Sequence, residues 1–145
     1  MNENENAIRD GAGERWLNWL STELDRRGST PDSRLLVLWD VLEEWFASED
    51  FHALIADSII GSADLPGPGH PAHAAVAANR HLLRRLLEDL AVEMGAEDPT
   101  GLAGQLQVLF VGAVVGALID GQPQVARTAR HLAVVALAAS GDRKR

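Results

Sequence analysis

Twelve consecutive residues, Val108 to Ile119 (VLFVGAVVGALI), carry no polar side chain. Such a run is a membrane segment, a core helix, or a helix covered on two sides by different neighbours. It falls short of the roughly 18 residues that crossing a bilayer requires, so no membrane span is predicted. At 100° per residue its positions divide onto two faces. Leu106, Phe110, Ala113, Val114 and Ala117 share one face, suited to a core or to the wall of a pocket inside it. Gln105, Val108, Gly112, Val115, Gly116 and Ile119 share the other. Two glycines one turn apart cost about 1 kcal/mol each relative to alanine inside a helix. A helix tolerates such a notch most readily where a second backbone comes close.

The last helical segment, Pro123 to about Ser140, offers a matching surface. Val125, Ala129, Leu132, Ala136 and Ala139 recur at steps of four and three, a narrow stripe of mostly small side chains. Two copies of this helix pair would make a four-helix bundle, and a symmetric dimer is the commonest way to cover such a face. The expected dimer interface is therefore Gln105, Val108, Gly112, Val115, Gly116, Ile119, Val125, Ala129, Leu132 and Ala136. Burial of both helices inside one subunit is the competing reading.

The rest of the chain reads as helices too. Alanine, leucine and valine dominate the 145 residues, and alternating β-branched runs are missing. The predicted fold is all-α, about six helices in one antiparallel bundle. Residues 1–12 read as a polar tail, 13–140 as the folded domain, and 141–145 as a basic tail. A first helix carries Trp16, Leu20 and Leu24 on one face and stops at Gly28. A second begins with Thr30 as cap and Pro31 at its first position. A short third covers Asp50 to Gly61, followed by the Pro-Gly-rich loop SADLPGPGHP. The fourth runs from Pro71 to about Met94, closed by Gly95. Asp98 and Pro99 then open the helix that contains the apolar run.

Charge and composition remove several functions. A net charge of −8 repels phosphate backbones, so no nucleic-acid binding is expected of this chain alone. There are no cysteines, hence no disulfides or thiol chemistry, and the start MNENENAIRD does not resemble a signal peptide. A cytoplasmic location fits. His70, His73 and His81 lack the converging partners of a metal site, so no metal or cofactor is expected. The serines lie outside any nucleophile-elbow motif, and Glu43 and Glu44 diverge as neighbours on a helix. No enzymatic activity is predicted.

The aromatic residues allow two readings. Trp39, Trp45, Phe46, Phe51 and Phe110 converge if the second, third and fifth predicted helices pack together. They fill a core, or they line an apolar pocket with a few orienting polar groups. Asn79, on the leucine face of the fourth predicted helix, is disfavoured there by about 1–3 kcal/mol unless backbone, water or a ligand partners it. The candidate pocket residues are Trp39, Leu42, Phe46, Phe51, Ile55, Ser58, Ile59, Asn79, Leu83, Phe110 and Val114.

The stretch RLLVLWDVLEEWFASEDF, the Pro-Gly-His-Pro loop, and HLLRRLLEDLAVEMGAEDPTGLAGQLQVLFVGAVVGALIDG together resemble the C-terminal domain of TetR/AcrR-type transcriptional regulators. The resemblance covers about Arg15 to Ala139. It implies an all-helical domain that dimerises through its last two long helices and binds a small hydrophobic effector among the others, which favours the pocket reading. Two departures stand out. The residues before the first amphipathic helix are too few for the family's helix-turn-helix head, so an effector domain without its DNA-reading part is expected. Relatives often carry Gly-Cys soon after the Asp-Phe of the third helix, where this chain has Ala53 and Leu54. The rival implication is an interaction module that heterodimerises with a complete regulator and binds no ligand of its own.

Overall fold

Local start and stop signals set where each helix of this chain runs. The computed structural model describes residues 3–49, 51 and 71–140, with side chains described for 15–49, 51 and 80–140. The fold is all-α: α1 (Glu3–Arg27), α2 (Pro31–Phe46), α3 (Pro71–Glu93), α4 (Pro99–Asp120) and α5 (Val125–Ser140). Thr30 and Ser33 form a capping box, the Ser33 amide donating to Thr30 Oγ1 at 3.2 Å and the Thr30 amide to Ser33 Oγ at 2.9 Å. At α4 the Gly101 amide donates to Asp98 Oδ1 at 3.0 Å, and Pro99 occupies the first turn. Gly95 and Gly121 follow α3 and α4 with φ of 82° and 67°, the left-handed conformation that glycine adopts without a side-chain penalty.

The start of α1 differs from the sequence reading. The helix begins at Glu3, thirteen residues before Trp16, the first apolar position of its periodic stretch. That segment has no apolar face to signal a helix, yet it contains no proline, and an established helix extends at one hydrogen bond per residue. The third predicted helix lies outside the described residues except for Phe51, as does the loop 62–70.

α4 is the centre of the arrangement. It packs between α3 and α5, while α2 packs on α5 and α3, and α1 on α2 and α3. Short connections make α3, α4 and α5 successive antiparallel neighbours. Leu102, Ala103, Leu106, Phe110, Ala113, Val114 and Ala117 turn inward from α4. They meet a core that includes Leu20, Leu24, Leu35, Leu38, Trp39 and Leu87. Ala126, Ala129 and Ala133 form the inner side of α5, short side chains that allow its close approach to the bundle. Gln107 is the buried polar residue of this core, and both ends of its amide are used. Its Nε2 donates to the Arg80 carbonyl at 2.9 Å, and Arg84 Nη1 donates to its Oε1 at 3.3 Å.

The expectation that the apolar segment is too short for a bilayer does not hold for the whole helix. α4 has 22 residues and is long and apolar enough to cross a membrane by length and composition. The sequence reading measured the unbroken apolar run alone, whereas the glycines, alanines and leucines before it extend the same character. Of its most apolar 18 residues 39% are buried within the chain, others such as Leu109 and Leu118 are half-buried against the core, and Val108, Val111 and Ile119 are exposed.

The α1–α2 elbow is fastened by charge. Arg27 bonds Glu23 at 3.0 Å and also bonds Glu44. The Arg27 guanidinium holds the Glu44 carboxyl below the ordinary carboxylate range, and Arg26, followed by Arg27, does the same for Glu23. A lowered folded-state pKa gives stabilisation that is present above the unfolded value and lost as pH falls through the folded one. Glu44 is 61% exposed at its side chain, so the effect is small and screened by salt. Arg27→Met should lower the melting temperature slightly on the neutral plateau, and the difference from the parent should close as pH falls below about 4.5, the ordinary glutamate value, where Glu44 protonates in both proteins. The difference should also shrink in high salt.

Candidate functional site

Two apolar regions stand out, one inside the bundle and one outside. Inside, aromatic side chains gather from α1, α2, α4 and Phe51. Trp45 is the hub, its ring centroid 4.9 Å from Trp16, 5.7 Å from Phe46 and 4.8 Å from Phe51. Trp16 meets Phe110 edge-on at 5.8 Å, and Phe46 lies 4.9 Å from Phe51. These are tilted and edge contacts within the range where ring quadrupoles attract. Of the five aromatic residues expected to converge, Trp45, Phe46 and Phe51 meet directly, Phe110 joins them through Trp16, and Trp39 is buried in the core but is not among these ring pairs. The cluster adds Trp16, which the sequence placed on the apolar face of the first helix with Leu20 and Leu24 but not with the other aromatic residues.

Exposure is uneven across this region. Trp39, Leu42 and Phe51 are at most 1% exposed, whereas Leu17, Trp45, Phe110 and Val114 retain 8–9%. The accessible end of the core is thus the end at Trp16. Leu83 is buried on α3. Ile55, Ser58 and Ile59 lie outside the described residues, and the Asn79 side chain does too.

Outside, α4 and α5 share one uncovered face. Six of the nine large apolar side chains left exposed among the described residues belong to these two helices: Val108, Val111, Ile119, Leu132, Val134 and Val135. Val108 and Ile119 are 72% and 74% exposed, and with their neighbours they make a contiguous apolar patch rather than scattered single residues. Between them sits Gly112. A Cβ added there would meet nothing within 4 Å and its φ is not positive, so nothing among the described residues requires a glycine.

Three residues of the expected interface, Gly116, Val125 and Ala129, pack within the chain's own bundle instead. A Cβ on Gly116 would come within 3.0 Å of Val125 Cγ2, so this second notch is filled by the chain's own α5. Ala129 is 5% exposed and belongs to the inner side of α5 with Ala126 and Ala133. The helix is rotated because α2 covers α5 from a side that its alanine-rich sequence does not mark. The outward stripe of α5 is Thr128, Leu132, Val135 and Ala139, with Ala136 half-buried at its edge. Gln105, Val108, Gly112 and Ile119 are exposed as expected, and Val115 is half-buried.

A polar hollow of about 420 Å³ lies between α2 and α5, lined by Asp40, Glu43, Arg127, Arg130, His131 and Val134. Arg127 Nε donates to Glu43 Oε1 at 2.8 Å, and Arg130 Nε stands 3.7 Å from Asp40 Oδ1. It is open and salt-bridged, a surface seam where α5 is pinned to α2. Compared with family models, with curated proteins and with solved structures, the chain matches none.

Proposed function

We propose that this chain is the effector-binding and homodimerisation domain of a TetR-like, cytoplasmic transcriptional regulator. The observation that carries the proposal is the division of α4 into two apolar sides. One enters an aromatic core whose accessible end lies at Trp16, and the other is an uncovered face centred on a glycine the subunit does not need. The first suits a small hydrophobic effector and the second suits another copy of the same surface, which must supply both notch and projecting side chains. In this reading the effector settles among α1, α2, α4 and Phe51, and shifts α1 relative to the bundle. The shift is limited by the ligand's preference for one conformation over the other. No metal, cofactor, nucleic acid or catalytic step belongs to the proposal.

Thermal melts of the pure protein against a library of hydrophobic small molecules test it. A ligand binding only the folded state at 100 times its Kd stabilises by about 2.7 kcal/mol, a shift of several degrees. A flat response across the library would remove the effector and leave only the paired surface.

That outcome is the second reading, an interaction module that heterodimerises with a complete regulator and binds no ligand. The filling of the inner core around Trp39 and Leu42 favours it. Sedimentation alone and in mixture with candidate regulators separates the two.

A further inference from the structure

Among the described residues, four buried side-chain polar atoms have no hydrogen-bond partner: the indole nitrogens of Trp16 and Trp39, and Nε of Arg84 and Arg130. All four are N–H donors. The two arginines use other nitrogens or lie beside a carboxylate, Arg84 through Gln107 and the Thr100 carbonyl, Arg130 near Asp40. The two indoles have no such substitute, because an indole offers a single N–H and accepts nothing. Buried donors are normally satisfied, and a core left with donors alone lacks acceptors.

Trp16 is the indole placed to meet a ligand. Its ring is half-buried while its nitrogen is shielded, and it lies tilted against Trp45 and edge-on to Phe110 at the accessible end of the core. Trp39 carries the same deficit deeper, at 1% exposure. We infer that the effector brings a hydrogen-bond acceptor, a carbonyl or ether oxygen on an aromatic frame, and that the indole N–H of Trp16 donates to it. The aromatic frame takes the place beside Trp45 and Phe110, and the oxygen supplies what the core lacks. This rests on the small-molecule reading and narrows it to acceptor-bearing aromatics, against plain hydrocarbons and against donors such as amines.

The test uses matched pairs of aromatic ketones and their parent hydrocarbons, fluorenone with fluorene first, and other pairs of two to four rings. Binding to the whole chain is followed by the indole N–H resonances of its four tryptophans. The ketone of a pair should bind about threefold to tenfold more tightly than the hydrocarbon, the factor of one ordinary hydrogen bond. The Trp16 resonance should move downfield with the ketone only. Trp16→Phe should bring the two affinities together, while Trp39→Phe keeps the preference. Should Trp16→Phe fail to fold, the resonance shift in the unaltered protein still decides. Equal affinities within every pair, or a ketone that shifts a different indole, would overturn the inference and leave the effector pocket standing. A panel in which no compound binds would overturn both.

Discussion

Val108→Asp should change the sedimenting mass from about twice the 15.6 kDa of one chain to a single chain. The residue is 72% exposed on the subunit and stands four positions before Gly112, so the substitution disturbs nothing within one copy. Across a paired surface it places a carboxylate against valine, isoleucine and leucine. Desolvating that charge costs several kcal/mol, on the order of a hundredfold or more in the dimer constant. Circular dichroism of the variant should keep its helical signal, which separates lost pairing from lost folding. Two glycine variants sharpen the result. Gly112→Ala should raise the stability of the isolated subunit by about 0.5–1 kcal/mol, because its methyl group meets nothing in the same chain. Gly112→Leu should prevent pairing while the subunit stays folded. A chain that sediments as a monomer before any substitution would remove the paired surface and the dimeric regulator with it.

The second large effect is expected from Trp45→Ala. Three aromatic partners on α1, α2 and Phe51 lose their common neighbour at once. Truncation of a buried tryptophan costs about 3–5 kcal/mol, through lost burial and the cavity left behind. In a domain of this size that lowers the melting temperature by about 6–20 °C. Trp45→Phe should recover more than half of the loss, since it retains a ring for Phe51 and Trp16 to meet. An alanine variant melting within 2–3 °C of the parent would show that the cluster is not the structural hinge of the core.

What the sequence revealed was what neighbouring residues decide among themselves. Thr30 with Pro31, Asp98 with Pro99, and the glycines at 95 and 121 mark helix ends by chemistry acting over three or four positions, and they lie where that chemistry placed them. The outward side of α4 was legible for a similar reason, because a mid-helix glycine such as Gly112 is disfavoured wherever it has no neighbour to admit. The facing of α5 was not legible. With alanine at 126, 129, 133, 136 and 139, its stripes differ little in hydrophobicity, and the choice falls to α2, whose Asp40 and Glu43 engage Arg130 and Arg127. Those pairs are 84 or more positions apart in the chain, beyond the reach of any periodicity. Trp16 was missed as a site residue for the same reason. Its partners come from α2 and α4, and only packing brings them to it.

The joint between α1 and α2 has a mechanical corollary. Gly28 is buried there with no room for even a methyl group, since a Cβ would lie 2.6 Å from Arg34 Cγ and 3.0 Å from Arg34 Cα. Among the described side chains of α1, Leu17, Leu20 and Leu24 are its core anchors, and Leu24 lies one turn from that joint. A helix of 25 residues is about 37 Å long, so a tilt of about 5° at the joint would carry the Glu3 end about 3 Å.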